Sequence, residues 1–261
     1  IIVNLHHCAG ALRELLGDGS SLGVSIAYSE ERPEILGTGG GIKRALPLLG
    51  DATFVVVNGD ALFAPDIAGA LDAHRKRGAI ATLIVREDPA AAAFGAVEID
   101  GGDRVRRLIG VGGERSGLRP HMFTGVHILE PEVGALLPDS GCIVRETYVP
   151  LIRRGGELGA FVETSAFCDL GTPERYLGAN ADLVTGATRL VGFEPPEDGV
   201  YVGPGATLGS GCSLGRGTVV EKGARVAGGV ALCRSLVRAG ATADRDASNA
   251  IFCEDGTIIE I

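Results

Sequence analysis

With 261 residues, 45% of them apolar and 22% charged, the chain has room for one large domain or two modest ones and enough apolar side chain to bury a core. Its formal net charge is −9, with no run of Lys and Arg and no interleaving of aromatic and basic residues, which excludes the clustered positive charge that a nucleic-acid partner demands. No apolar run approaches the ~20 residues that span a bilayer, so no membrane-spanning helix and no membrane partner are expected.

Residues 1–5 read as a short strand covered on both faces, and residues 6–16 as a helix with Leu12, Leu15 and Leu16 on one face. Residues 24–28 alternate like a second strand. A glycine loop with Gly37, Gly39, Gly40 and Gly41 then opens a helix expected from about Ile42 to Leu49. Residues 53–60 form an apolar strand that ends in Asp60. Asp66 is placed to cap a helix reaching Arg77, and residues 79–85 form the next strand. This alternation of strand and helix predicts a parallel α/β sheet, whose ligands bind beyond the carboxyl ends of the strands, where Asp60 sits.

From residue 94 the strands shorten: 94–99, 105–111 and 124–129. A helix over 145–154, a strand over 158–162 and a helix over 173–184 with proline in its first turn follow. Residues 195–199 read as a linker. Beyond it Val202, Leu208, Leu214, Val220, Val226 and Leu232 recur every six residues, with Ala206, Cys212, Thr218 and Ala224 as a second inward set. That period predicts a short left-handed parallel β-helix of two to three coils, its register slipping after Leu232 and residues 240–261 capping it. The expected organisation is therefore a Rossmann-like α/β domain with a mixed or parallel sheet over 1–190, a linker over 191–199 and the β-helix over 200–261.

The glycine loop leaves backbone bare enough for a flat ligand, and the helix after it offers free N–H groups. It is not G-x-G-x-x-G, because Ile42 stands at the third glycine position, and it lacks the Gly-Lys-Ser/Thr ending of a Walker loop. Taken alone it also reads, as the lesser alternative, as a turn built for tight packing. Asp60 and Asp169, each in an exposed turn, supply the two carboxylates that a magnesium ion needs when substrate phosphates complete its shell. Read singly, Asp60 is a turn residue and Asp169 a helix cap. His6 and His7 fit a strand-end hydrogen-bonding element, and no Ser-His-Asp or Cys-His set suggests covalent catalysis. The six cysteines are scattered without a C-x-x-C pair, which points to reduced, buried thiols in a cytoplasmic protein.

Several segments occur in a telling order: Ile2-Val-Asn-Leu-His-His, Glu34-Ile-Leu-Gly-Thr-Gly-Gly-Gly-Ile, Val56-Val-Asn-Gly-Asp, Phe94-Gly-Ala-Val, Phe123-Thr-Gly-Val-His and Asp169-Leu-Gly-Thr-Pro-Glu-Arg-Tyr. Together they resemble the sugar-1-phosphate nucleotidyltransferases, in particular the mannose-1-phosphate guanylyltransferase-like branch with a C-terminal hexapeptide β-helix. The resemblance covers nearly the whole chain. It implies that an NTP and a sugar 1-phosphate give an NDP-sugar and pyrophosphate, with GTP favoured over UTP and a product like GDP-mannose or GDP-heptose. It further implies that Leu36, Gly37, Thr38 and Gly39 contact base and ribose. Asp60 and Asp169 would be the catalytic residues that coordinate Mg2+, and Gly95, Thr124 and Gly125 would line the sugar pocket.

Departures from the family pattern carry expectations of their own. The family's Gly-rich phosphate loop, with its Arg and a following Lys-Pro, is not present. The chain opens mid-strand on Ile1 and its only methionine is Met122. A missing first βα unit is therefore expected, and the chain as it stands should be a poor catalyst or none. The Glu-Lys-Pro motif is absent between Ile109 and His121, where Arg115 or Arg119 could at best substitute, and Phe167 replaces a common Trp. A non-catalytic subunit that binds sugar nucleotide and regulates a partner is the alternative. An acyltransferase is disfavoured, since no histidine follows His127. The β-helix is better suited to subunit contact, giving a homo-oligomer.

Overall fold

In the computed structural model, which describes residues 1–261 except 90, 92–94 and 191, the chain forms two units, residues 1–58 with 65–164 and residues 59–64 with 165–261. In chain order the elements up to residue 162 are β1 (Ile2–Leu5), α1 (Ala9–Leu16), β2 (Ala27–Glu30), α2 (Gly37–Leu49), β3 (Phe54–Val57), β4 (Ala61–Phe63), α3 (Ile67–Arg77), β5 (Ala81–Arg86), β6 (Val97–Ile99), β7 (Val105–Leu108), β8 (Val111–Gly112), β9 (Arg119–Leu129), α4 (Val149–Arg153) and β10 (Gly159–Val162). All but β4 belong to the first unit.

The sheet is the mixed form of the mixed or parallel sheet expected, and not the wholly parallel one that the alternation of strand and helix suggests. β1 and β2 pair parallel in a sheet of their own, and β10 pairs parallel with β5. The other pairs of the seven-stranded sheet are antiparallel, and β9 is their hub. Being 11 residues long, β9 has room for β3 and β6 as partners along its length as well as β5. Alternation along the sequence reports the order of elements, not their neighbours, and a late strand has come in beside two early ones. β5 is buried on both faces, as its unbroken Ala81-Thr-Leu-Ile-Val run requires. Leu83, Val85, Val97, Ile99, Leu129 and Tyr148 form the heart of the core. Each such aliphatic contributes about 1.5–3 kcal/mol by leaving water.

Local signals held where chemistry is local. The Asp66 carboxylate accepts from Gly69 N–H at 2.9 Å, capping α3. In α1, by contrast, no residue is buried and Leu15 is 77% exposed, so the expected leucine face has no core beneath it. The helix expected over 145–154 begins instead as a wide π-turn, Val144–Tyr148, before α4.

In the second unit, β4 pairs antiparallel with β11 (Phe167–Asp169), and Phe63 meets Phe167 edge-on at 5.3 Å. α5 (Pro173–Thr185) follows, capped by Thr172, whose hydroxyl accepts from Arg175 N–H at 3.3 Å. Eleven short strands then wind a three-sided β-helix: β12 (Tyr201–Val202), β13 (Thr207–Leu208), β14 (Ser213–Leu214), β15 (Val219–Val220), β16 (Arg225–Val226), β17 (Ala231–Cys233), β18 (Leu236–Val237), β19 (Thr242–Ala243), β20 (Ala247–Ser248), β21 (Ala250–Phe252) and β22 (Ile258–Glu260). Successive coils shorten, since Val202 pairs with Val220, Val220 with Val237 and Val237 with Phe252. Winding continues through β21, so of the residues expected to cap the solenoid only β22 turns back, antiparallel to β21. Val220, Val226 and Leu232 are buried inward, while Val202 and Leu208 of the first coil stay exposed. Outside the coils, Leu177 and Val184 of α5 pack on Val219, Leu236 and Ile251.

No helix among the described residues is long and apolar enough to cross a membrane. All six cysteines are free thiols, but none is buried as expected, and Cys8 and Cys233 are exposed.

Candidate functional site

Asp60 lies in the turn entering β4, and Asp169 is the last residue of β11. Pairing of the two strands sets Asp169 opposite Ala61, and the Leu170 N–H donates to the Asp60 carbonyl at 2.8 Å. Both carboxylates are thereby brought to one end of the ribbon. A Cβ placed on Gly171 would lie 3.2 Å from Asp169 Oδ1 and 3.4 Å from Asp60 Oδ2, so glycine there keeps a methyl group from resting against both carboxylates. Asp169 is not a helix cap, because Thr172 takes that role. Its Oδ1 accepts from Gly171 N–H and its Oδ2 from Arg175 Nη1, both at 2.8 Å. Among the described residues no group of three or more His, Cys, Asp and Glu comes together. Two hard oxygen donors around a cleared gap fit a Mg2+ ion that takes its other ligands from phosphate and water.

The glycine segment is the first turn of α2, which begins at Gly37 rather than near Ile42. Protein atoms already stand against all four of its bare faces, the Gly141 carbonyl lying 2.9 Å from where a Cβ on Gly37, at φ +69°, would be. A Cβ would stand 2.8 Å from Pro138 Cγ at Gly39, 2.5 Å from the Asp139 carbonyl at Gly40 and 2.6 Å from Glu31 Oε1 at Gly41. Gly39 N–H donates to Gly141 O, Gly141 N–H donates to Leu36 O, each at 2.8 Å, and the Thr38 hydroxyl accepts from Ile143 N–H at 3.0 Å. Gly39 to Gly41 are buried, whereas Gly37 and Thr38 are exposed. The Gly37 and Thr38 N–H groups have no acceptor among the described residues. Tight packing therefore explains Gly39 to Gly41, and the surface open to a ligand is the Leu36–Thr38 turn.

The remaining candidates lie in the first unit. Thr124 is buried and its hydroxyl donates to Ile84 O at 2.8 Å. Gly125 has φ +77° and sits against the Asn58 amide, while Asn58 N–H donates to Gly125 O at 3.1 Å, tying β3 to β9. Gly95 has φ +84° and packs on Ile109; Phe94 lies outside the described residues. Arg119 pairs with Asp103 at 3.2 Å, and Arg115 stands 3.5 Å from the buried Glu98 carboxylate. His127 shares a hydrogen bond with the Tyr148 hydroxyl; burial pushes the imidazole down to about 3 and the phenol well above its ordinary value. His6 Nδ1 bonds the Glu31 carbonyl at 2.9 Å, the strand-end role expected of it.

Residues 1–186 match the family described as nucleotidyl transferase. The chain belongs to that family. It is 35% identical over 243 residues to a mannose-1-phosphate guanylyltransferase of Mycobacterium tuberculosis, the match covering 88% of this chain and 66% of that one. To a UTP–glucose-1-phosphate uridylyltransferase of Synechocystis it is 34% identical over 150 residues, covering 53% of this chain and 39% of the other. The chain thus spans less than two thirds of the length of either relative. HddC from Yersinia pseudotuberculosis shares the fold, with a TM-score of 0.55 at 24% identity over 69% of this chain and 76% of that one.

In this nucleotidyl transferase, the sequence motifs single out Asp60 and Asp169 but pass over Gly171, Arg175 and Glu31. A signal for Arg175 lies in the Asp169-Leu-Gly-Thr-Pro-Glu-Arg-Tyr motif, where it stands in the first turn of a helix that starts just past the carboxylate. Glu31 has none, because its partners come from β1 and from the turn that leads into α2.

Proposed function

We propose that this nucleotidyl transferase joins an NTP to a sugar 1-phosphate. A sugar-phosphate oxygen attacks the α-phosphorus in line; the new P–O bond forms as the bond to pyrophosphate breaks, and the NDP-sugar and pyrophosphate leave. The observation that carries this reading is the pair Asp60 and Asp169 facing one another across Gly171. These two residues would hold Mg2+, which when bound neutralises phosphate charge and so favours attack at phosphorus. Arg175 fixes one oxygen of Asp169 and leaves the carboxylate oriented before substrate arrives. The Gly37 and Thr38 N–H groups would meet base and ribose beside Leu36 and Gly39, and Gly95, Thr124 and Gly125 would shape the sugar pocket through backbone.

Identity to the mycobacterial guanylyltransferase makes GTP with mannose 1-phosphate the first pair to try, and UTP with glucose 1-phosphate the second. The non-catalytic reading is not favoured, because these relatives carry the names of enzymes. In this reading residues 1–190 do the chemistry, the linker is 191–199, the β-helix over 200–261 makes subunit contacts, and the protein works in the cytoplasm. A pyrophosphate-release screen of the full-length protein across NTP and sugar-phosphate pairs tests the reaction. Release is expected with at least one pair, falling at least about a hundredfold in Asp60→Ala. Silence from every pair, or an Asp60→Ala protein as active as its parent, overturns it.

A further inference from the structure

Glu31 is a buried carboxylate with every polar atom engaged. Its N–H donates to Leu5 O at 2.8 Å and its carbonyl accepts the His6 ring at 2.9 Å, which fixes its backbone at the end of the β1–β2 ribbon. Its Oε1 accepts from Asn4 Nδ2 at 2.9 Å, and its Oε2 accepts from Leu36 N–H at 2.7 Å. Leu36 is the N-cap of α2 and has no side-chain cap of its own, so Glu31 does from outside the helix what a capping-box glutamate does from within. Any side chain at Gly41 would collide with this arrangement, since a Cβ there stands 2.6 Å from Glu31 Oε1 and 2.7 Å from Asn4 Nδ2.

We propose that Glu31, steadied by Asn4, is the positioning residue that presets the Leu36–Thr38 turn for nucleotide. This rests on the nucleotide reading of that turn given above. Without the Leu36 tether, the turn that aims the exposed Gly37 and Thr38 N–H groups is held on one side alone, by the hydrogen bonds from Gly141 and Ile143. The carboxylate also offsets the positive pole of α2, which suits the turn to the uncharged edge of a base rather than to a phosphate.

Equilibrium binding of GTP and of UTP by calorimetry, with hydrogen exchange at Leu36, tests the proposal. Glu31→Ala should weaken binding about tenfold or more and speed exchange at Leu36. Glu31→Gln should stay within about threefold of the parent, because its amide oxygen still accepts from Leu36 N–H while a turned Asn4 amide meets its NH2. Should Glu31→Ala not fold, Asn4→Asp sets two carboxylates against each other at a more exposed position; its loss of binding should be reversed by adding Glu31→Gln. A parent that binds neither nucleotide overturns the nucleotide reading itself. A parent that binds, with folded Glu31→Ala or Asn4→Asp unchanged, overturns the role of Glu31 alone, as does a Glu31→Gln protein as impaired as Glu31→Ala.

Discussion

The first turn of α2 and the coils of the β-helix are both rich in glycine, yet they use it for different reasons. Gly39, Gly40 and Gly41 have ordinary helical backbone and simply lack room for a methyl group. Gly199, Gly205, Gly211, Gly217, Gly223 and Gly229 sit every six residues at φ between 68° and 81°, and at Gly205 and Gly223 no atom lies within 4 Å of where a methyl group would stand. Space is the constraint at Gly39 to Gly41 and backbone conformation at Gly205 and Gly223, while Gly37 of the same turn has φ +69° and Gly203 and Gly209 of the coils lack room for a methyl group. The same contrast runs through the polar groups. The first unit buries Glu31, His74, Glu98, His121 and His127 and holds all five histidines, while the β-helix buries aliphatic residues, Phe252 and the hydroxyl side chains of Thr218 and Ser235.

Substitutions can break this contrast. Gly40→Ala drives a methyl against the Asp139 carbonyl and should cost about 3 kcal/mol, read as a lowered urea midpoint. An unchanged midpoint would mean that the 138–141 segment yields freely.

Acid comes next in size. His127 stays neutral in the fold down to about 3, whereas an unfolded imidazole takes a proton below about 6.5. Between those values the unfolded state binds more protons, so stability falls as pH falls, by roughly 1.4 kcal/mol per pH unit and about 2 kcal/mol by pH 5. Protection factors of the β9 amides, corrected for the slower intrinsic exchange in acid, should therefore fall in mild acid while β15 to β17 keep theirs, and His127→Asn should flatten the response. Coils that loosen at the same pH as β9 would erase the distinction. The smallest effect belongs to Gly223→Ala, with open space but φ +70°: about 1 kcal/mol, part of which Gly223→Asn should recover, since asparagine tolerates that backbone.

What could be read from the residues follows from how far apart the deciding partners are. The caps at Asp66 and Thr172 lie within three residues of the N–H groups they serve. The solenoid announced itself because its inward residues repeat at a fixed short period. The central place of β9 between β3 and β5 was invisible, because pairing Leu83 with His127 is settled by the whole sheet. At the carboxylate pair the residues were legible from their motifs, but the clearance at Gly171 was not. For the glycine turn, composition disclosed bare backbone and could not disclose that Pro138, Asp139 and Glu31 cover it.

Residues 59–64 also carry a topological consequence. The chain passes from one unit to the other after Asn58, returns after Ala64 and leaves again after Thr164. Asp60 travels with the short excursion and Asp169 with the final one, so no single break in the polypeptide yields a piece holding the whole second unit and nothing else. A protease nick after Thr164 would separate the two metal-binding candidates onto different fragments, with the β4–β11 pairing, the Leu170–Asp60 hydrogen bond and the Phe63–Phe167 contact holding them together. Durability of the carboxylate pair under proteolysis therefore depends on the short β4–β11 ribbon and the contacts beside it.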